Sequence, residues 1–274
     1  MTRADVGGVA LHWREWGSGP AIVALHPGPG TDGAMFGDWL IPLADAHRVI
    51  ALDLPDHGLS GDSRPGERSL SGYARAVAQF ADQLGLAPYT LLGHSFGSFV
   101  ALTQAVEIPG HSARVIASCG AADHRFFDGF EERVEALGRP DVVAAFEAEE
   151  EAETEADLRA AWAGQMPFFC ADPDGPACRA LIAQLEHVRF RVDVALDPDA
   201  FADYDVSGSL ARIEVPVLAI AGAQDRATTP ADTGAIAVRA GDGRLVTIDA
   251  AGHFPYAEQP EAWVAAVRAF VSPR

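Results

Sequence analysis

Basic side chains are scarce in this chain: 20 Lys and Arg stand against 39 Asp and Glu, a formal net charge of −19. Attraction to phosphate requires clustered Lys and Arg, so neither a nucleic acid nor an anionic membrane is an expected partner. Cysteine is also sparse. Cys119, Cys170 and Cys178 do not make a disulfide framework, although Cys170 and Cys178 could pair in an oxidising setting. They lack C-x-x-C spacing and no H-E-x-x-H is present, so no metal site is expected. The longest apolar stretches are only strand-sized, and the N-terminus lacks the basic region and apolar core of a signal peptide. A cytoplasmic protein is expected, with its oligomeric state left open.

What is present is an alternation of apolar strand patterns with helical ones, the arrangement of an α/β fold whose mostly parallel sheet is covered on both sides. At 274 residues the chain can bury one α/β core with an insertion. Val9 to Trp13 alternates and is expected as an antiparallel edge strand after the Gly7-Gly8 turn. Further strands are expected near Ala21, Val49, Thr90, Val115, Val217 and Leu245, with helices over 71–85, 98–107, 231–240 and 261–271. The interval between Val115 and Val217 is far longer than a crossover needs. It reads as a helical lid over 123–210, inserted into a core of 1–122 and 211–274. Lid helices are expected around Asp128 to Leu137, Asp141 to Glu151, Glu155 to Ala163 and Ala177 to Arg189, with Pro167-Phe168-Phe169 and Phe201 apolar enough to pack over a site. The acidic run Glu147, Glu149, Glu150, Glu151, Glu153, Glu155 and Asp157 reads as a solvated helix face.

One motif points to chemistry. Gly93-His94-Ser95-Phe96-Gly97 follows the apolar run Tyr89-Thr90-Leu91-Leu92 and opens an Ala-rich helical stretch, so G-x-S-x-G here occupies a strand, sharp turn, helix context. The flanking glycines let the backbone fold back and hold the Ser95 hydroxyl out as a nucleophile. A serine needs an imidazole to take its proton and a carboxylate to orient that imidazole. His253 is the candidate base, in a loop directly after the run Leu245-Val246-Thr247-Ile248, where an α/β sheet presents its site residues. Asp225 is the candidate acid, after the strand Val215 to Ala221 and ahead of the helix start Thr228-Thr229-Pro230. Asp249 and Asp123 are rivals, the first too close to His253 in sequence. An oxyanion site needs backbone N–H groups fixed in advance. Phe96, after the nucleophile, supplies one, and Gly28 in His26-Pro27-Gly28-Pro29-Gly30 the other, since Pro27 and Pro29 have no N–H.

Taken together, these motifs resemble those of the α/β-hydrolase fold superfamily, whose Ser, Asp, His order they share. Within it the chain is similar to the proline iminopeptidase-like and carboxylesterase branch. His26-Pro27-Gly28-Pro29-Gly30 matches an oxyanion loop reading His-Gly-Gly-Pro-Gly at four of five positions, with Pro27 for the first glycine. Asp53-Leu54-Pro55-Asp56-His57-Gly58-Leu59-Ser60 is close to a D-x-P-G-H-G-x-S loop, with Asp56 for a glycine, and Ala251-Gly252-His253-Phe254 is followed by Glu258-Gln259-Pro260-Glu261. The resemblance implies a mostly parallel eight-stranded sheet with helices on both faces and a helical lid. It also implies a serine hydrolase that needs no cofactor and takes a small ester, a lactone or a short peptide. Proline iminopeptidase-like enzymes hold a free α-ammonium with acidic groups near the lid. The acidic run could supply them, but none of its residues matches, and Phe96 stands where that branch often has Trp or Tyr. Hydrolysis of an ester or lactone is therefore favoured over aminopeptidase action. A carbon–carbon bond hydrolase and a catalytically silent binding protein of the same fold are the other readings.

Overall fold

A computed structural model describes residues 2–197, 199 and 204–272. Its sheet contains β1 (Thr2–Val6), β2 (Val9–Trp16), β3 (Ala21–Leu25), β4 (Arg48–Leu52), β5 (Tyr89–His94), β6 (Arg114–Ser118), β7 (Val217–Gly222) and β8 (Gly243–Ile248). The eight strands lie in the order β1-β2-β4-β3-β5-β6-β7-β8. Pairing is antiparallel at β1/β2 and β2/β4 and parallel throughout the rest. Every residue of β3, β5 and β7 is buried, as expected for strands covered on both faces. The first strand expected from the sequence is not the edge. Thr2 to Val6, too polar to read as a strand, forms a hairpin with it and takes the outer position, while β2 bonds inward to β4. At the opposite edge, β8 is largely open to solvent except for Ile248.

Helices α1 (Leu70–Gln83) and α2 (Phe96–Glu107) follow β4 and β5. Ser69 caps α1 by accepting from the Gly72 N–H. Between β6 and β7 the chain forms α3 (Phe130–Glu135), α4 (Pro140–Glu150), α5 (Glu155–Phe169), α6 (Pro176–Gln184) and α7 (Val192–Ala195). The sheet then closes with α8 (Pro230–Arg239), α9 (Pro255–Glu258) and α10 (Pro260–Val271). Helix α5 does not stop near Ala163 as its sequence suggests but continues through Pro167 to Phe169. A proline there forfeits one hydrogen bond in the last turns, and packing compensates, because Met166 and Phe168 are fully buried. Phe201, expected over the site, lies outside the described residues.

Asp56, where the similar loops carry glycine, has φ +69°, in the left-handed region that favours glycine. Its carboxylate uses that position, accepting from the Ser63 N–H at 2.8 Å and the Tyr73 hydroxyl at 3.2 Å. No helix of the described residues is long and apolar enough to cross a membrane.

Candidate active site

The turn between β5 and α2 shows why its sequence is Gly-His-Ser-Phe-Gly. A Cβ on Gly93 would lie 2.1 Å from the Gly97 carbonyl oxygen, and one on Gly97 would lie 2.2 Å from that of Leu25. Only glycine fits at either position. Ser95 between them takes φ +52°, ψ −119°, a strained conformation for a residue with a side chain. Its N–H donates to the Ser118 carbonyl at 2.9 Å, and its own carbonyl accepts from the Ser98 N–H at 2.8 Å.

Three sequence-predicted residues meet at the carboxyl ends of β5, β7 and β8. His253 Nε2 lies 2.9 Å from Ser95 Oγ, and His253 Nδ1 lies 2.9 Å from Asp225 Oδ2. Asp225 is itself fixed: Oδ1 accepts from the Ala227 N–H at 2.9 Å, and Oδ2 accepts from the Thr228 hydroxyl at 3.1 Å. Asp225 and His253 are buried. This arrangement orients the imidazole and leaves Nε2 to take a proton from Ser95. The rival acids lie elsewhere, Asp249 exposed and Asp123 paired with Arg125. Below His253 the His94 ring packs at 5.2 Å, and burial, with the nearby His253, holds its pKa well below the ordinary imidazole value. Gly28 and Ser95 line the same cavity, while the Phe96 side chain is buried against His57 and Tyr73.

The segment 168–171 at the end of α5 is joined to the loops carrying Asp225 and His253. The His253 N–H donates to the Phe169 carbonyl at 2.6 Å. Arg226 donates to the carbonyls of Phe168 at 3.2 Å and Cys170 at 2.8 Å. Glu258 completes the clasp: Oε1 accepts from the N–H groups of Gly252 and Phe254, on either side of His253, at 2.9 and 3.1 Å, and Oε2 from Ala171 at 2.7 Å. Burial raises the Glu258 pKa, and the three N–H groups oppose that rise by favouring the ionised form. In the sequence, Glu258 gives no sign of this role beyond its distance of four residues from Phe254.

A cavity of about 270 Å³ opens on Ser95. Phe126, Phe127, Phe130, Phe146, Trp162 and Phe169 give it an apolar wall, and all six come from the segment between β6 and β7. The expectation of a solvated acidic face fails at one residue. Glu147, Glu150, Glu151, Glu153, Glu155 and Asp157 are exposed, but Glu149 turns inward and lines this cavity. Its position near the end of α4 faces it toward α5, where the Trp162 indole donates to Oε1 at 2.9 Å and the Gln165 amide to Oε2 at 2.6 Å.

A mostly parallel sheet carrying a Ser, His and Asp constellation above its strand ends defines the α/β class of hydrolases. Residues 22–267 match the model of the alpha/beta hydrolase family, and the chain belongs to that family and is an enzyme of this class. It is 30% identical over 272 residues to a pimeloyl-[acyl-carrier protein] methyl ester esterase of Xanthomonas campestris, covering 96% of this chain and 99% of the relative. A second relative, the dihydrolipoyllysine-residue acetyltransferase component of the acetoin cleaving system of Cupriavidus necator, is 37% identical over 125 residues, 44% of this chain. The matched region spans about a third, 32%, of that protein's length. Among solved structures, the enol-lactonase of Burkholderia xenovorans superposes with a TM-score of 0.79 at 25% identity, covering 99% of this chain and 100% of the lactonase.

Proposed function

We propose that this enzyme cleaves a carboxylic ester or lactone of a small, partly apolar substrate through an acyl-enzyme intermediate. Ser95 attacks the carbonyl carbon while His253 accepts the hydroxyl proton and Asp225 stabilises the resulting imidazolium. The N–H groups of Gly28 and Phe96 receive the developing oxyanion. His253 then hands its proton to the leaving alkoxide, activates water against the acyl carbonyl, and returns a proton to Ser95 as the acid departs. Residues 123–210 act as a lid on the core formed by 1–122 and 211–274, excluding water and shaping the substrate pocket.

The observation that carries this reading is the unbroken chain of two 2.9 Å contacts from Ser95 through His253 to Asp225, at the floor of an apolar cavity. The esterase and lactonase names of the two full-length likenesses support it. The test compares the protein and its Ser95→Ala variant on short and medium p-nitrophenyl esters beside L-prolyl and L-alanyl anilides. Ester cleavage that requires Ser95, with inert anilides, is the expected result. Preferential cleavage of the prolyl anilide would overturn it in favour of an aminopeptidase.

A further inference from the structure

Glu149 is the sole carboxylate among the described residues lining the cavity, and no Lys or Arg lines it. Its placement is unfavourable for stability in three ways. It is withdrawn from water, it stands in the last turn of α4 where the helix dipole disfavours an anion, and Glu150 is adjacent. A residue so placed is a candidate for function. The two oxygens of a carboxylate offer about four lone-pair sites. Trp162 and Gln165 use one on each oxygen, which fixes the group while leaving accepting capacity toward the cavity. It sits away from the nucleophile: the His253 ring contacts Phe169 at 5.5 Å, Phe169 stacks on Trp162 at 6.4 Å, and Trp162 holds Glu149.

We propose that Glu149, held by Trp162 and Gln165, is the specificity group of this cavity: it accepts a hydrogen bond from an O–H or N–H carried by the part of the substrate remote from the scissile carbonyl, and it repels anionic substituents there. The inference rests on the ester-hydrolase reading and narrows its substrate to acyl groups ending in a donor. An ionised carboxylate can only accept, so a methyl-ended acyl group leaves its remaining lone pairs without a donor and a carboxylate-ended one adds like-charge repulsion in a partly buried site.

Binding to the Ser95→Ala protein, measured by calorimetry, separates this from a role as a strut between α4 and α5. The probes are ethyl 6-hydroxyhexanoate, ethyl heptanoate and monoethyl adipate, with homologues of neighbouring chain length. The hydroxyl-ended ester is expected to bind about tenfold tighter than the methyl-ended one at the length that reaches Glu149, with the carboxylate-ended ester weakest. Adding Glu149→Gln is expected to shrink the hydroxyl-to-methyl ratio to within about threefold and to remove the carboxylate penalty. Weakening of all three esters by one common factor would show a strut and overturn the proposal. Methyl-ended binding as tight as hydroxyl-ended binding in the Ser95→Ala protein would overturn it without recourse to the second variant. If the ranking holds while the unmutated protein turns over none of these esters, the ester-cleavage reading fails and the recognition site stands.

Discussion

The sheet and the segment between β6 and β7 contribute to the same cavity in different ways. From the strand ends come the three polar groups of the Ser95, His253 and Asp225 chain, each on a loop whose backbone bonds leave little freedom. From α3 to α5 come aromatic walls and one inward carboxylate. Under the proposed reaction, chemistry falls to positions fixed by topology, and substrate choice to positions fixed only by packing. Substitutions in the first region should strike all substrates alike, whereas those in the second should reorder them.

The largest effect is expected at Asp225. Asp225→Asn should lower kcat by about three to four powers of ten on every ester tested, because the imidazole loses the partner that sets its tautomer. A fall confined to some esters would break the comparison. Glu258, in α9, bonds to both regions, and Glu258→Gln leaves at least one of three part-buried N–H groups poorly paired. A loss of roughly 1.5–3 kcal/mol of stability is expected in urea titrations, with kcat reduced about tenfold and the apparent pKa of the pH–rate profile shifted as His253 is repositioned. An unmoved pH profile would leave Glu258 a purely structural group. Phe146→Ala, which opens the aromatic wall against Phe130, Phe168 and Phe169, should change the ranking of acyl chain lengths by a few-fold to about tenfold in kcat/KM. A uniform loss across chain lengths would count against substrate choice residing there.

A further effect is one of pH on stability. Burial, then the nearby Asp53 charge, raises the Asp32 pKa to about 7. A carboxyl whose folded pKa lies above its unfolded value stabilises the fold below the unfolded value, and that contribution is lost as pH rises toward 7. Asp32→Asn should therefore flatten the decline in urea midpoint between pH 4 and pH 7, since the amide cannot ionise. An unchanged slope would show that Asp32 stays charged through that range.

Legibility followed the same division. The convergence of Ser95, Asp225, His253 and the Gly28 turn on one cavity was legible because the proposed nucleophile, acid, base and oxyanion loop each call for a residue type at a defined strand end. The hairpin of β1 was not legible, since its Thr, Arg and Asp are exposed and leave no apolar signature. The continuation of α5 past Pro167 was hidden by a local propensity that the burial of Met166 and Phe168 overrides. Nothing in Glu147 to Asp157 marks which carboxylate turns inward. That depends on Trp162 and Gln165, which lie 13 and 16 residues further along the chain.

The clasp at 168–171 bears on how such an enzyme is re-engineered. Because the backbone beside Phe169 is bonded to the N–H of His253 and, through Glu258, to both its neighbours, the end of α5 is tied to the loop that carries the His253 imidazole. A graft that replaced the whole segment between β6 and β7 with one from another hydrolase is expected to loosen His253, the proposed general base, while altering the pocket. Chimaeras that keep Phe168 to Ala171 together with Arg226 and Glu258, and exchange only what precedes or follows, should retain turnover while acquiring the donor's preferences.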